Sequence, residues 1–467
     1  MLETDAIEFA DAQAVWSQLR AVERLTVTVI VDNETDGLSS PCACCDPSLD
    51  PSTSTPYQSE FTWAVHQVTG GRWPSLDFRH SLQAGHGLSL LVSASTADGA
   101  VSRLLFDGGP REDLWTRNAE RLGLDMGEVE AAVLSHWHVD HSVGLLAVAR
   151  AASEARSGTW SALREDEKTE PSSTILPGHL PQAEDSDKTC PEGELAPRPP
   201  SQLPQQLQQQ QQQQEDGDSE AGLQPGPPPP VQEPFVFDLH PSRPLLRGLL
   251  LGASHKPVPF DERDPTLEQL SLPGCRVELH AGPHTLLRNC FFVSGSIPRV
   301  SSFETGQPGH GTLGPDGNWQ LDPHIMEERY LAVRVRGRGV VVLSGCSHAG
   351  IVNVVRHVKG LSGEPVFGVM GGLHLAGGKM EGRIPETVAA LRELNPARVF
   401  GGHCTGWRAK IALAAALSDR FQPMSVGSTY TFLAARPGEQ QERAGDEEKA
   451  TKAVPGGQQP EEPGVGS

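Results

Sequence analysis

Basic side chains are scarce in this 467-residue chain, which has 38 Lys and Arg against 59 Asp and Glu and a formal net charge of −21. Because binding to phosphate backbones requires clustered Lys and Arg, this balance argues against a general nucleic-acid-binding protein. Long apolar runs are also missing, since none approaches the roughly 20 residues that cross a bilayer. Residues 1–20 carry four acidic side chains and lack the basic-then-apolar pattern of a secretion signal. We therefore expect a cytoplasmic protein with no nucleic-acid and no membrane partner.

Cysteine is sparse too, with eight residues spread along the chain, so a disulfide scaffold is not expected. Three of them, Cys42, Cys44 and Cys45, lie close enough in sequence to bind a soft metal. A structural zinc site normally has a second ligand pair at matching spacing, and no such CxxC or CxxH pair is evident. Unpaired loop thiols are therefore the favoured interpretation of this cluster.

Two segments have too few apolar residues to form a core. Residues 151–234 contain a glutamine run, Gln208–Gln214, a proline run, Pro227–Pro230, and 15 acidic against 5 basic side chains. Residues 436–467 are similar, with 7 acidic and 4 basic side chains. High Pro, Gln and charge with little apolar surface is typical of disordered chains, so we predict a disordered insert and a disordered tail. The insert is either a passive spacer or a binding segment for a protein partner.

The remaining blocks, residues 1–150 and 235–435, are interpreted as one catalytic domain, because a long surface insertion costs little closure entropy. Two domains joined by a linker are the alternative. Short β-branched and apolar runs predict strands at 25–31, 88–92, 104–106, 131–134, 291–293, 330–335, 340–343 and 366–369. Helical spacing of apolar residues predicts helices after Ser142, after Gly350, over 386–394 and over 408–417. Sheets packed between helices fit this mixture of elements.

The strongest functional signal is His136-x-His138-x-Asp140-His141, which follows the apolar run Ala131–Leu134. Three imidazoles and one carboxylate within six residues are ligands that divalent metals prefer. On an extended segment His136 and His138 point the same way, because side chains alternate. Asp140 and His141 then turn towards a second position. Four ligands at this spacing do not easily surround one tetrahedral ion, so the pattern favours two metals; a histidine-rich surface turn is the alternative.

This motif after an apolar strand resembles the signature of the metallo-β-lactamase fold superfamily. The resemblance implies an α/β protein with a four-layer αβ/βα sandwich and a dinuclear metal centre at one sheet edge. The segment Leu105-Phe106-Asp107-Gly108-Gly109 resembles the strand-plus-aspartate motif of the same family. By that resemblance Asp107 supports the metal ligands through hydrogen bonds and does not itself bind metal.

Further segments resemble one branch of this fold, the 7,8-dihydropterin-6-methyl-4-(β-D-ribofuranosyl)aminobenzene-5′-phosphate synthase-like proteins of archaea and bacteria. The resemblance covers most of residues 25–145 and 275–430. It is carried by His86–Ser89, the stretch around Asn118, Ser344–Gly350, Gly371–His374 and Gly401–Gly406. Two departures are Gly85, where an acidic residue is expected, and Ser142-Val143-Gly144, where a small-Gly-Gly turn is expected. We expect them to affect substrate contacts rather than the metals.

Three histidines in the C-terminal half, His348, His374 and His403, each follow a predicted strand and a glycine-rich turn. They are the candidate distal metal ligands; histidines that hydrogen-bond to nearby backbone are the alternative interpretation. Most members of the wider fold supply an aspartate that bridges both metals, and no aspartate follows any of these strands. Cys346 and His374 are the candidates for that position, and a weakly held second metal is the alternative.

A metal pair with these ligands suits two reactions of a small-molecule substrate. In hydrolysis, a metal-bound hydroxide attacks an ester, amide or phosphodiester, and Asp140 handles protons. In the transferase reaction that the resemblance implies, the metals assist loss of diphosphate from a dihydropterin-methyl diphosphate as an arylamine ribofuranose phosphate attacks. We place the hydrolase first, because a polyglutamine insert is unlike a compact microbial enzyme. A non-catalytic binding module is the third interpretation.

The types of ligand indicate which metal is bound. Zinc suits the imidazole-rich ligand set, and manganese and iron are the alternatives. The candidate substrate-binding residues are His86, Asn33 and Asn118, together with the segment 297–311.

Overall fold

Two β-sheets pack face to face in the computed structural model, which describes residues 3–36, 81–160, 233–252 and 254–436. The cysteine cluster at 42–45 and nearly all of the predicted insert and tail lie outside these residues. The described residues on both sides of the insert belong to one compact unit. Among the helices of the described residues, none combines the length and the apolar character needed to cross a bilayer.

The first sheet has seven strands and carries the histidine-rich motif. In spatial order they are β19 (Thr429–Leu433), β2 (Arg24–Val31), β3 (Ser89–Ser95), β4 (Val101–Phe106), β5 (Ala131–Val133), β6 (Phe235–Leu239) and β9 (Cys275–Leu279). Neighbours from β19 to β4 are antiparallel, whereas those from β4 to β9 are parallel. The carboxyl ends of the parallel strands therefore share one sheet edge.

The second sheet comes from the C-terminal half of the chain. In spatial order its strands are β10 (His284–Leu286), β11 (Phe291–Val293), β14 (Tyr330–Val335), β15 (Gly339–Ser344), β16 (Val366–Gly372), β17 (Arg398–Gly402) and β18 (Phe421–Pro423), with β1 (Ala21–Val22) beside β14. The run from β15 to β18 is parallel. It places a second set of carboxyl ends at one edge.

A third, small sheet is antiparallel throughout. Its strands, in spatial order, are β13 (Trp319–Leu321), β12 (His310–Leu313), β7 (Leu246–Leu251) and β8 (Lys256–Pro259). These strands were not predicted from the sequence; Lys256–Pro259, for example, is exposed throughout and has no burial pattern.

Helices cover the outer faces of the two large sheets. In chain order they are α1 (Glu3–Trp16), α2 (Glu112–Arg121), α3 (Val139–Ser142), α4 (Leu145–Ser157), α5 (Leu267–Leu270), α6 (Ile351–Ser362), α7 (Ile384–Leu394) and α8 (Trp407–Leu417). Short 3₁₀ turns lie at Glu381–Arg383, His403–Thr405 and Ser418–Arg420. α6 shows why such helices form, because its buried Ile351, Val355 and Val358 recur at helical spacing and Gly363 ends it at φ +64°, where glycine meets no strain.

Three apolar cores separate four layers. The central core lies between the sheets and joins residues such as Val92 of β3 to Val333 of β14. A second core packs α2, α4 and α5 on the first sheet and includes the fully buried Trp115. A third packs α1, α6, α7 and α8 on the second sheet. The predicted four-layer αβ/βα sandwich is confirmed.

One predicted boundary was wrong. Residues 151–157, which the sequence interpretation assigns to the insert, are the last two turns of α4. The reason is that the apolar face of this helix continues through Val148, Ala149 and Ala152, all buried. Gly158, in the left-handed conformation at φ +76°, then ends the helix.

Candidate metal centre

Side chains from five strand ends meet at one edge of the sandwich. In the first sheet, Asp107 follows β4 and the motif 136–141 follows β5. In the second sheet, Cys346 follows β15, His374 follows β16 and His403 follows β17. Carboxyl ends of parallel strands are the usual place for ligands in α/β proteins, so the topology brings the distant parts of the predicted site together.

The first group of donor atoms comes from Asp140, His141, Cys346 and His403, all within 4.8 Å of one another. The Nε2 atom of His141 lies 3.1 Å from Cys346 Sγ and 3.1 Å from His403 Nε2. The Oδ2 atom of Asp140 lies 3.3 Å from His403 Nε2. One carboxylate, two imidazoles and one thiol are a complete ligand set for a four-coordinate divalent ion.

A second group contains His136, Cys346 and His348, again within 4.8 Å. His138 joins it, because its Nδ1 lies 3.0 Å from His136 Nε2 and its ring centre 4.8 Å from that of His348. Cys346 therefore belongs to both groups. Of the two residues considered for the bridging position, Cys346 is the one that the geometry favours.

Hydrogen bonds determine which nitrogen of His141 and His403 carries the proton. Nδ1 of His141 donates to Asp107 Oδ2 at 2.7 Å, and Nδ1 of His403 donates to Asn33 Oδ1 at 3.1 Å. A neutral ring with its proton on Nδ1 has a lone pair on Nε2. The two Nε2 lone pairs thus face each other at 3.1 Å, which is repulsive unless a cation or a shared proton lies between them. The residues fit a bound metal ion.

Ser135 connects His136 to the same buried aspartate. Its Oγ donates to Asp107 Oδ2 at 2.8 Å and accepts from Nδ1 of His136 at 2.8 Å. Its backbone N–H donates to Asp107 Oδ1 at 2.7 Å. Asp107 therefore stands behind the rings of two candidate ligands, which is where the supporting role expected from the resemblance requires it.

Burial keeps several of these rings neutral, as metal ligation requires. It lowers the pKa of His136, His138 and His348 well below the usual range. Both ring nitrogens of His348 are buried without a hydrogen-bond partner among the described residues, an uncommon state for buried polar atoms. Burial raises the pKa of Asp140, but in the metal-free protein the proton shared between His141 and His403 adds positive charge beside it and lowers that pKa below its usual range, so Asp140 is a carboxylate.

Parts of this chain are similar in sequence to known proteins. Over 118 residues it is 35% identical to a 7,8-dihydropterin-6-methyl-4-(β-D-ribofuranosyl)-aminobenzene-5′-phosphate synthase of Methanocaldococcus jannaschii, covering 25% of this chain and 39% of that protein. Over 151 residues it is 25% identical to an uncharacterized protein of the same organism, covering 32% of this chain and 54% of that protein. The chain thus spans about half the length, or less, of these curated relatives. It matches no protein-family profile.

Among solved structures, a metal-dependent hydrolase of the β-lactamase superfamily is similar at a TM-score of 0.48 and 16% identity, covering 87% of this chain and 98% of that one. The four layers, with the His136–His141 motif at the edge where both sheets end, match the architecture expected from the sequence. This chain has the metallo-β-lactamase fold. The similarity to the Methanocaldococcus jannaschii synthase supports the branch suspected from the sequence.

His374 stands apart from the two ligand groups of this metallo-β-lactamase fold. Its donor atoms group instead with the thiols of Cys346 and Cys404, within 4.8 Å. Its ring centre lies 4.2 Å from that of His348, and its backbone is left-handed at φ +48°. The other six predicted ligands converge in the two groups, whereas His374 lies beside them among thiols.

The predicted substrate role of Asn118 was wrong. Asn118 is fully buried in α2, and its Nδ2 donates to the carbonyls of Ile30 and Gln83, each at 2.8 Å. Its Oδ1 accepts from the backbone N–H of Gln83 at 3.0 Å. The side-chain amide of Asn118 therefore makes hydrogen bonds to three backbone groups inside the fold, which is a structural role.

Asn33 and His86 lie on the open side of the metal centre. Asn33 Nδ2 donates to His86 Nδ1 at 3.0 Å, so the neutral His86 ring has its proton on Nε2. That Nε2 lies 3.4 Å from Asp140 Oδ2, and 68% of the His86 side chain is exposed. Asn33 orients two rings, whereas His86 is the predicted substrate-side residue that solvent reaches.

The third sheet contributes a histidine from the predicted substrate segment 297–311. Nε2 of His310 lies 3.0 Å from Nε2 of His138, and its Nδ1 donates to the backbone carbonyl of Asp322 at 2.8 Å. The buried Arg247 of β7 stands behind it, paired with Glu327. The small sheet thus reaches the metal centre, and only the position of His310 inside the predicted segment signalled this.

Asp32 is a functional candidate that sequence interpretation missed. It directly follows β2, is fully buried, and accepts the backbone N–H of His403 at 2.7 Å. Burial raises its pKa to about 6. The available signal was a carboxylate at the end of a buried strand, the same pattern that identified Asp107.

Proposed function

We propose that this chain is a metal-dependent hydrolase with two divalent ions, one held by His136, His138 and His348 and the other by Asp140, His141 and His403. The single observation that carries the proposal is the thiol of Cys346, which belongs to both donor groups. A ligand shared in this way is what a dinuclear centre requires.

Zinc suits this ligand set best, because imidazole and thiolate ligands favour zinc over harder ions; manganese and iron are the alternatives. Two bound ions would supply Lewis acidity and lower the pKa of a water molecule towards about 7.

The protein's own residues supply proton transfer. Asp140 is an ionised carboxylate at the edge of the centre, 18% exposed, so it can accept a proton from an attacking water. His86 holds a proton on Nε2 next to it and faces solvent. It is therefore placed to hydrogen-bond to a leaving group, which can receive the proton that Asp140 takes from water; this supports cleavage of an ester, amide or phosphodiester.

A second candidate is a transferase, favoured by the similarity to the Methanocaldococcus jannaschii synthase. Such an enzyme would join a dihydropterin-methyl diphosphate to an arylamine ribofuranose phosphate with loss of diphosphate. The same proton donors and ligands would serve it, so the substrate decides between the two.

Metal analysis and a substrate screen test the proposal together. We expect wild type to bind two zinc equivalents at this centre and the double variant His136→Ala, His138→Ala to lose about one. His324→Ala, an exposed histidine outside the donor groups, is the control and should lose none. At least one class among phosphodiesters, lactones and thioesters should be hydrolysed; turnover of the pterin–arylamine pair alone would establish the transferase instead. Equal zinc in wild type and the double variant would refute a metal centre.

A further inference from the structure

A separate cluster of ligand-type side chains connects the two large sheets. Asp238 lies in β6 and His280 follows β9, both in the first sheet, whereas His284 begins β10 in the second. Their donor atoms lie within 4.8 Å of one another, and none of the three belongs to the donor groups around Cys346. The proposed hydrolase mechanism gives this cluster no role.

The protonation of His284 is determined by a backbone contact. Its Nδ1 lies 3.0 Å from the carbonyl oxygen of Gly282, which can only accept, so Nδ1 carries the proton. The neutral ring then has its lone pair on Nε2, and that atom faces Asp238 Oδ2 at 2.8 Å. A lone pair pointing at a carboxylate is repulsive unless a positive charge lies between them. Metal-binding histidines are typically oriented by such a bond from the other nitrogen.

The carboxylate is oriented in the same way. Asp238 is fully buried, and its Oδ1 accepts from Nη1 of Arg329 at 2.7 Å. Its Oδ2 faces His284 and also Nδ1 of His280, at 2.6 Å. Arg329 thus orients Asp238 through Oδ1, and Oδ2 faces two ring nitrogens. Carboxylates that bind metal are commonly hydrogen-bonded in this way.

The cluster is accessible from one side. The His280 side chain is 37% exposed, and that of His284 is 17% exposed. Two imidazoles and one carboxylate, with a water as fourth ligand, form a common zinc environment. A bound ion would link β6 and β9 to β10, across the gap between the sheets.

We propose that Asp238, His280 and His284 form an additional binding site for a divalent transition metal, with zinc as the best fit, which fastens the two sheets together. The competing arrangement has no metal and a second proton on His284. It would place up to three cations, from Arg329, His280 and His284, around one carboxylate. Protons compete with the metal for the same ring nitrogens, so zinc should bind more weakly in acid.

Zinc content of the full-length protein tests this site. Protein loaded with Zn²⁺ and dialysed against metal-free buffer is assayed for zinc per chain. We expect His284→Gln to hold about one equivalent less than wild type, and the exposed control His324→Gln to hold as much as wild type. Loading with Co²⁺ identifies the site that is lost, because a thiolate-to-cobalt absorption band arises only from sites with cysteine ligands. The equivalent missing from His284→Gln should carry no such band.

Each other outcome overturns the proposal. Equal zinc content in wild type and His284→Gln refutes the site, whatever the Cys346 centre binds. The cluster would then be the metal-free network of ion pairs with a protonated His284. A loss confined to the thiolate band would assign the effect to the Cys346 centre. If His284→Gln does not fold, His280→Gln is the second variant, because Asp238 keeps both Arg329 and His284 as partners in it. His280→Gln should also hold one zinc equivalent less than wild type. Equal zinc content in His280→Gln and wild type refutes the site.

Discussion

Asp107→Asn should weaken metal binding without removing any ligand. Asp107 Oδ1 accepts from the Ser135 backbone N–H, and its Oδ2 accepts from Ser135 Oγ and from Nδ1 of His141. In the variant, the amide oxygen keeps the first bond and the NH₂ group replaces Oδ2. Two donors then face each other unless His141 moves its proton to Nε2, and that shift removes the lone pair that binds metal.

The expected size follows from similar supporting contacts, whose loss weakens metal binding by roughly 10- to 100-fold. This corresponds to about 1.4–2.7 kcal/mol. The assay is competition for zinc against a chelator of known affinity. The matched control is Asp264→Asn, since Asp264 is also buried and accepts from Ser142 Oγ at 2.5 Å but touches no candidate ring. Wild-type zinc affinity in Asp107→Asn, or equal weakening in both variants, would contradict the tautomer argument.

Three further predictions follow from single side chains. Cys346→Ser should abolish the thiolate-to-cobalt absorption band assigned to the centre and lower the affinity for both ions, as measured by Co²⁺ titration. An unchanged band would exclude Cys346 as a ligand. Asn118→Ala should leave zinc content unchanged but lower the free energy of unfolding by roughly 2–4 kcal/mol, because three buried backbone groups lose partners; loss of zinc at full stability would contradict this. Burial lowers the pKa of His357 to about 4, below its ordinary 6.5, so its contribution to stability is complete above pH 6.5 and lost as pH falls towards 4. In metal-free protein, the free energy of unfolding of His357→Leu should fall by about 3 kcal/mol less than that of wild type between pH 6.5 and 4, as measured by urea unfolding at several pH values. The same dependence of stability on pH in both proteins would refute this prediction.

The strands that could be predicted in the two large sheets contain β-branched or apolar runs, whereas partly exposed strands such as β9 and β10 were not predicted. β2 alternates β-branched residues, and β15 is buried at every position. The third sheet could not be predicted, because strands such as Lys256–Pro259 are exposed throughout and carry no burial pattern. Their pairing depends on tertiary contacts that local sequence does not show.

The site was predictable where chemistry is concentrated in sequence, as in the motif at 136–141. Distal residues were located only to a strand end, since sequence does not show which way a side chain points after a glycine-rich turn. His374, predicted among the ligands, is an example, because its donor atoms group with the thiols of Cys346 and Cys404. Asn118 was misjudged although a signal existed: with Leu114 and Trp115 it lies on one buried face of α2.

The cluster around Asp238 was missed for a different reason. His280 and His284 are only four residues apart, a spacing found in zinc sites, but Asp238 is distant in sequence and lies in a separate strand. Only the parallel register of β5, β6 and β9 and the approach of β10 bring them together.

Anomalous diffraction at the zinc edge from zinc-loaded crystals tests the central claim most directly. We predict two peaks on either side of Cys346 Sγ, each about 2.3 Å from the sulfur. One should lie against His136, His138 and His348, and the other against Asp140, His141 and His403. A single peak with Cys346 unligated, or no peak at this edge of the sheets, would contradict the dinuclear centre.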